Sequence, residues 1–196
     1  MLVMVPPEYP KEALARGLVG KVTVTGTIRT TGHLADIRID ASPPDSAFES
    51  AVMEVAALWR LQPRIVSPDC GASEAPARVT IWFEIAGGKP KVSFTPSPAP
   101  AGIAPPEIHR DRKPVRFNLP GYPRGLASHP RTPELIVQLV YLGVAADGSV
   151  TNVTVSPLFF NRDFEPHIVA AARHWKFAPQ ASSWCGEMEL RFDLSE

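Results

Sequence analysis

Apolar and polar side chains alternate along several short stretches of the chain. Val22, Val24, Gly26 and Ile28 are interleaved with threonines, and residues 34–39 resume the alternation after a short break. Val79, Ile81, Phe83 and Ile85 repeat it, as do Met188, Leu190, Phe192 and Leu194. Successive side chains of a strand point to opposite faces, so this alternation predicts half-buried β-strands. Residues 135–144, almost wholly apolar, and 150–155 complete the set of predicted strands. Gly32 and Asp147-Gly148 fall between strand pairs and supply the left-handed residue a hairpin turn needs.

A second spacing marks helices. Phe48, Val52, Val55 and Trp59 share one helical face, and Ser46 with Glu49 has the spacing of a capping box. Phe164, Ile168, Ala171 and Trp175 form the matching stripe further on. Both stripes read as core. Residues 11–16 are good helix formers that stop at Gly17, a natural C-cap. Pro63 and Pro179 close the helical stretches.

The two sets of elements are one pattern written twice. At an offset of 116 residues Val24 meets Val140, Gly32 meets Gly148 and Phe48-Glu49 meets Phe164-Glu165. Trp59-Arg60-Leu61 meets Trp175-Lys176-Phe177, and Pro63 meets Pro179. Tyr9-Pro10 corresponds to Tyr122-Pro123 after a short insertion. Glycine, aromatic and proline positions agreeing together point to a duplication. The order helix, strand, strand, helix, strand predicts an α+β fold: in each copy, a three-stranded antiparallel sheet with two helices on one face. The second copy departs at its first helix, where Gly125, Pro130 and Pro133 predict a broken helix or a turn.

Composition sharpens the division. Of the 22 prolines in 196 residues, seven lie in 90–114, among Ser, Ala and Gly, which predicts an extended segment. The expected domains are therefore 1–86 and 116–196, joined by a Pro-rich linker over 87–115. The run His109-Arg110-Asp111-Arg112-Lys113 inside it reads as solvated. Lys and Arg number 20 against 20 Asp and Glu, with a pI near 7.0, which removes the electrostatic case for nucleic acid or an anionic membrane surface. No apolar run approaches the length of a membrane span, and no charged start followed by an apolar run marks a signal peptide in these residues.

These residues resemble the C-terminal domain of the TonB energy-transducer family, twice over. Pro7-Glu8-Tyr9-Pro10 leads through Ala13 to Gly20-Lys21-Val22, the Gly32 hairpin and Phe48-Glu49. Trp59-Arg60-Leu61-Gln62-Pro63 and Val79-Thr80-Ile81-Trp82-Phe83 follow. The resemblance covers nearly all of 5–86 and, more loosely, 117–195. It implies a periplasmic module that captures the extended N-terminal box peptide of TonB-dependent outer-membrane receptors and supports energy-coupled transport. It also implies an inner-membrane motor complex as partner, provided an N-terminal anchor precedes these residues; without one, the module is a stand-alone adaptor.

In that family the receptor segment adds beside the last strand. The same place follows from the unpaired N–H and C=O groups of any sheet edge. The candidate peptide-binding residues are Arg78, Val79, Thr80, Ile81, Trp82, Phe83 and Glu84. A second edge is offered by Met188, Glu189, Leu190, Arg191 and Phe192. Trp82 faces away from Val79, Ile81 and Phe83, as a peptide contact or as a surface that packs on the linker or the other copy. The rival reading is a structural module whose copies pair edge strands with each other or in a homodimer.

Cys70 and Cys185 sit at nearly matching places, shortly after Pro63 and Pro179. They lack the spacing of a zinc site. In an oxidising periplasm they are a candidate disulfide, which requires that their Cα atoms come within reach. His33, His109, His129, His167 and His174 are scattered and read as surface residues. No phosphate loop, nucleophile elbow or His-Glu-x-x-His stretch occurs, so neither cofactor, metal nor enzyme activity is expected.

Overall fold

The computed structural model describes residues 2–66, 69–96, 107–123, 135–157 and 163–193. In chain order it contains β1 (Leu2–Val3), α1 (Lys11–Ala15), β2 (Gly20–Ile28), β3 (Leu34–Ser42), α2 (Ser46–Ala56) and β4 (Arg60–Leu61). Next come β5 (Arg64–Val66), β6 (Gly71–Ser73), β7 (Ala75–Ala86) and β8 (Lys89–Pro96). The remainder is β9 (Ile108–His109), β10 (Leu135–Val144), β11 (Val150–Val155), α3 (Phe164–Ala172) and β12 (Trp184–Asp193). The chain forms two compact units, Met1–Pro63 with Glu74–Ile103 and Arg64–Ser73 with Ala104–Glu196.

The first unit is built on an antiparallel sheet of order β3-β2-β7-β8. Val22, Val24, Val79, Ile81 and Phe83 project from one face onto Phe48, Val52 and Ala56 of α2 and Ala13 of α1. At the centre Phe48 stacks on Phe83 with ring centroids 4.5 Å apart, and Tyr9 stands edge-on to both, at 5.9 and 5.5 Å. Pairs of this geometry contribute about 0.5–1.5 kcal/mol each beyond their area. The Tyr9 hydroxyl donates to the Leu18 carbonyl. Trp59 is fully buried, and its indole N–H donates to the Val5 carbonyl at 3.0 Å, which ties the segment before Tyr9 to the core. The cap of α2 is Asp45 rather than Ser46: its carboxylate accepts from the Ala47 N–H at 2.9 Å. The helix ends at Ala56, and Pro63 lies beyond β4.

The second unit has the sheet order β11-β10-β12-β9, with α3 against one face. Phe164 meets Phe192 at 4.3 Å, Tyr122 stands edge-on to Phe164 at 5.1 Å, and the Trp175 indole donates to the Asn118 carbonyl at 2.8 Å. The expected broken helix at 124–133, with His129, lies outside the described residues.

Four expectations are corrected. Among the described residues, the main sheet of each unit has four strands instead of three. Residues 87–115 are no plain linker, because Gly87 and Gly88, both at positive φ, turn the chain back so that β8 pairs with β7. Positive φ at both central residues suits a tight hairpin to the twist of its strands. The prolines of β8 are tolerated because an outermost strand has one side free of ladder partners. The unit boundaries also differ: residues 64–73, expected in the first domain, form a hairpin arm that belongs to the second unit. Finally, 78–84 is not an edge. β7 is flanked by β2 and β8.

The arm covers the face of the second sheet away from α3. Ile65 and Cys70 pack with Tyr141 and Cys185, alongside Leu139 and Ile108. Asn152 Nδ2 donates to the Asp69 carbonyl and Thr154 Oγ1 to the Cys70 carbonyl, each at 3.1 Å. Cys70 is held at φ 57°, a conformation few non-glycine residues adopt, and is bonded to Cys185 with Cα atoms 5.4 Å apart. The arm crosses β10 so closely at Asp69 that a Cβ on Gly143 would collide with the Asp69 carbonyl.

Two outcomes follow. Gly143→Ala displaces the arm at a cost of about 1–3 kcal/mol, and after oxidative refolding it leaves Cys70 and Cys185 open to a thiol reagent that finds none in the wild type. Trp59→Phe removes the donor to Val5, costs about 1–3 kcal/mol in denaturant unfolding and speeds amide exchange in residues 3–6.

Candidate functional site

The two last strands, β7 and β12, carry all the peptide-binding candidates, and their surroundings differ. On β7, Val79, Ile81 and Phe83 are buried under the helices, while Arg78, Trp82 and Glu84 are exposed and Thr80 is half-buried on the opposite face. Trp82 is 40% exposed, whereas Trp59 and Trp175 are fully buried and Trp184 nearly so. The Lys21 ammonium lies 5.8 Å from its ring centroid, from the neighbouring position on β2. Glu84 reaches Lys91 across the β7–β8 ladder at 4.0 Å. β8 covers β7 from Val79 to Ala86 and adds Val92 and Phe94 to the core, with Phe94 edge-on to Trp59 at 6.2 Å. The backbone groups of this candidate edge are therefore engaged on both sides. The outer margin now belongs to β8, and Lys89, Pro90 and Lys91 blunt it in the way lysine and proline commonly protect an exposed edge.

β12 is arranged differently. β10 runs along its whole length on one side. On the other side β9 pairs with it in parallel, but only Ile108 with Cys185 and His109 with Gly186. The chain then leaves the edge under two contacts. Arg110 forms a two-pronged ion pair with Glu187 at 2.6 and 3.1 Å, and the Arg112 guanidinium stacks 4.6 Å from the Trp184 ring. The Glu187 charge and hydrogen bond hold Arg110 still more firmly protonated than a free arginine. Burial, with Glu187 nearby, pushes the Tyr141 phenol above its usual range.

Beyond Gly186, among the described residues, no strand pairs with β12 on this side. Of the second-edge candidates, Leu190 and Phe192 are buried and Met188 half-buried. Glu189 and Arg191 are exposed and paired at 2.6 Å. Leu194 lies outside the described residues. No cluster of three metal-ligating side chains occurs among the described residues, and no described helix is long and apolar enough to cross a membrane.

Sequence reasoning missed β8, β9 and the roles of Arg110 and Arg112. The signal for β8 was present in Gly87-Gly88 followed by alternating Val92 and Phe94, hidden under the proline count. Arg110 and Arg112 were read as solvated with their neighbours. Nothing local distinguishes them, because their partners Glu187 and Trp184 lie more than 70 residues away.

Taken together, the first unit is a small α+β domain with a four-stranded antiparallel sheet and helices on one face. Residues 5–85 are similar to the family described as Gram-negative bacterial TonB protein C-terminal. Two relatives are each named Protein TonB. The one from Pseudomonas aeruginosa is 42% identical over 64 residues, which cover 33% of this chain and 19% of that protein. The one from Yersinia enterocolitica is 38% identical over 56 residues, covering 29% and 22%. The matched region thus spans about a fifth of either relative's length. The TonB homologues are non-enzymatic energy transducers whose C-terminal domain is periplasmic.

Removing Lys89–Pro96 strips the cover from β7. Sedimentation of this deletion variant is expected to show concentration-dependent self-association absent from the full chain, since a bare edge recruits another.

Proposed function

We propose that this protein is a periplasmic binding module of a TonB-like energy transducer. It captures the extended N-terminal box peptide of TonB-dependent outer-membrane receptors by strand addition, in support of energy-coupled transport. In this reading the two units are tandem TonB C-terminal-like domains, the second a divergent copy, and an inner-membrane motor complex is the partner of any anchor that precedes them. The observation that carries the reading is the outer edge of β12 over 187–192, along which no further strand pairs beyond Gly186 among the described residues. β9 supports it, because it is itself an extended segment added in parallel to that edge. A peptide there would place alternate side chains beside Met188, Leu190 and Phe192.

A second reading puts the peptide on the first unit, at Arg78, Thr80, Trp82 and their neighbours, in exchange for β8. The family match over 5–85 favours it, and so does the attachment of β8 to the sheet through β7 alone.

Titration with box peptides, read by amide hydrogen exchange, separates these readings. Saturable binding with new protection confined to 187–192 is the expected result. Protection gained at 78–84, with β8 losing its own, transfers the site to the first unit. No binding by the folded chain, with a dimer mass in solution, overturns receptor capture in favour of a homodimeric structural module.

A further inference from the structure

Gly186 divides the outer edge of β12. Beyond it no described strand pairs on that side, whereas Cys185 and Gly186 themselves are taken by Ile108 and His109 of β9. This is the one parallel pairing among the described residues of the sheet, and it is two residues long. β9 is also the outermost strand, so β12 is its sole ladder partner among the described residues. Two ladder pairings alone hold no strand in water, so side chains must keep it there.

Those side chains form a thin seat. Ile108 packs, half-buried, with Tyr141 and Cys185. The Trp184 ring reaches over Gly186, where a Cβ would meet it at 2.8 Å, and lies edge-on to His109 at 5.7 Å and against Arg112 at 4.6 Å. Arg110 holds Glu187 with a side chain that is 69% exposed, so dissolved salt screens the pair. Two donors are stranded in this seat: Arg112 Nη1 and Trp184 Nε1 are buried and have no hydrogen-bond partner. A ring face attracts a guanidinium but gives it no lone pair, and a buried donor without an acceptor forfeits the bond it would make to water. Lifting β9 returns Arg112 to water and strips Trp184 of its cover. The segment's next anchor, where the Val115 and Arg116 N–H groups donate to the Lys176 carbonyl at 2.7 and 3.1 Å, lies outside β12. β9 is therefore free to leave while the chain beyond it stays.

We propose that β9 is a resident stand-in for the peptide, and that the whole peptide site of the second unit is the β12 edge from Cys185 to Phe192. An extended peptide entering along 187–192 takes Gly186 and Cys185 as well by lifting β9, which lengthens the ladder from six positions to eight. Trp184, uncovered, becomes the aromatic contact at the end of the site. The longer ladder is available only in molecules whose β9 is off, so the apparent affinity for peptide scales with that fraction. The stand-in rests on the reading that peptide is captured at β12.

The test uses the full chain in three forms, titrated with box peptide by calorimetry and followed by amide hydrogen exchange. Arg110→Ser/Arg112→Ser loosens β9, and Lys113→Ser/Arg116→Ser removes the same charge from the positions that follow. The first variant is expected to bind about tenfold tighter than the wild type, and the second within about twofold of it. In the wild type, saturating peptide should speed exchange at 108–110 while slowing it at 187–192. Protection kept at 108–110 under saturating peptide, with equal affinities in all three forms, would overturn the stand-in and leave capture at 187–192 standing. A gain shared by both variants would trace to charge and overturn it too. So would protection gained at 78–84 instead. Binding by the first variant alone would support it, with β9 then closing the wild-type site completely. If none of the three binds, peptide capture itself fails and the stand-in falls with it.

Discussion

The seating of the hairpin arm on β10 is the constraint on which the second unit depends. A sheet with helices on one side needs cover on the other if its residues there are apolar, and β10 offers Leu139 and Tyr141 to that side. The arm supplies Ile65 and Cys70 against them. It can lie so close only because residue 143 has no side chain, so that one glycine admits a backbone which brings Cys70 beside Cys185. Burial of Tyr141, satisfaction of the Asp69 and Cys70 carbonyls and closure of the disulfide are therefore parts of one event.

On the other face both units use the same device. A tyrosine stands edge-on to one or both of two phenylalanines, one from the long helix and one from the last strand. A buried tryptophan at the helix end donates to a carbonyl in the segment before that tyrosine. Together these contacts fix the entry of the chain, the helix and the last strand to one another. They explain why Tyr-Pro and Trp-basic-apolar are the motifs that persist where the rest of the pattern is loose. In the second unit the last strand so positioned has an open side beyond Gly186 among the described residues, whereas in the first unit β8 covers it.

Strand and helix positions were legible because they rest on local periodicity. The hairpins at Gly32 and Gly148 were legible because they need a left-handed residue. The α2 cap was misplaced by one residue, since Asp45 and Ser46 are both good caps and only geometry chooses between them. β8 was obscured because proline counts against a strand only where its missing N–H is needed, and at the sheet margin it is not. The arm was beyond local reading, as its hydrogen-bond partners lie 83 and 84 residues on and its disulfide partner 115. One hint existed: β2 alternates with threonine, as a strand wet on one face does, whereas β10 is apolar at nearly every position, as a strand covered on both faces is. The candidate edge on the first unit was located by strand order alone, which cannot tell that the chain itself will occupy it.

The exchanged arm also bears on inheritance. Tandem domains are ordinarily gained and lost as whole segments, because each carries its own core. Here a deletion that removed residues 104–196 would leave a hairpin with Ile65 and Cys70 bare, and one that removed the first 103 would strip Leu139 and Tyr141 of their cover. Either loss exposes an apolar surface that the intact chain buries. Because the arm lies within the first unit's stretch of sequence and covers the second unit's sheet, the chain cannot be halved without baring apolar surface.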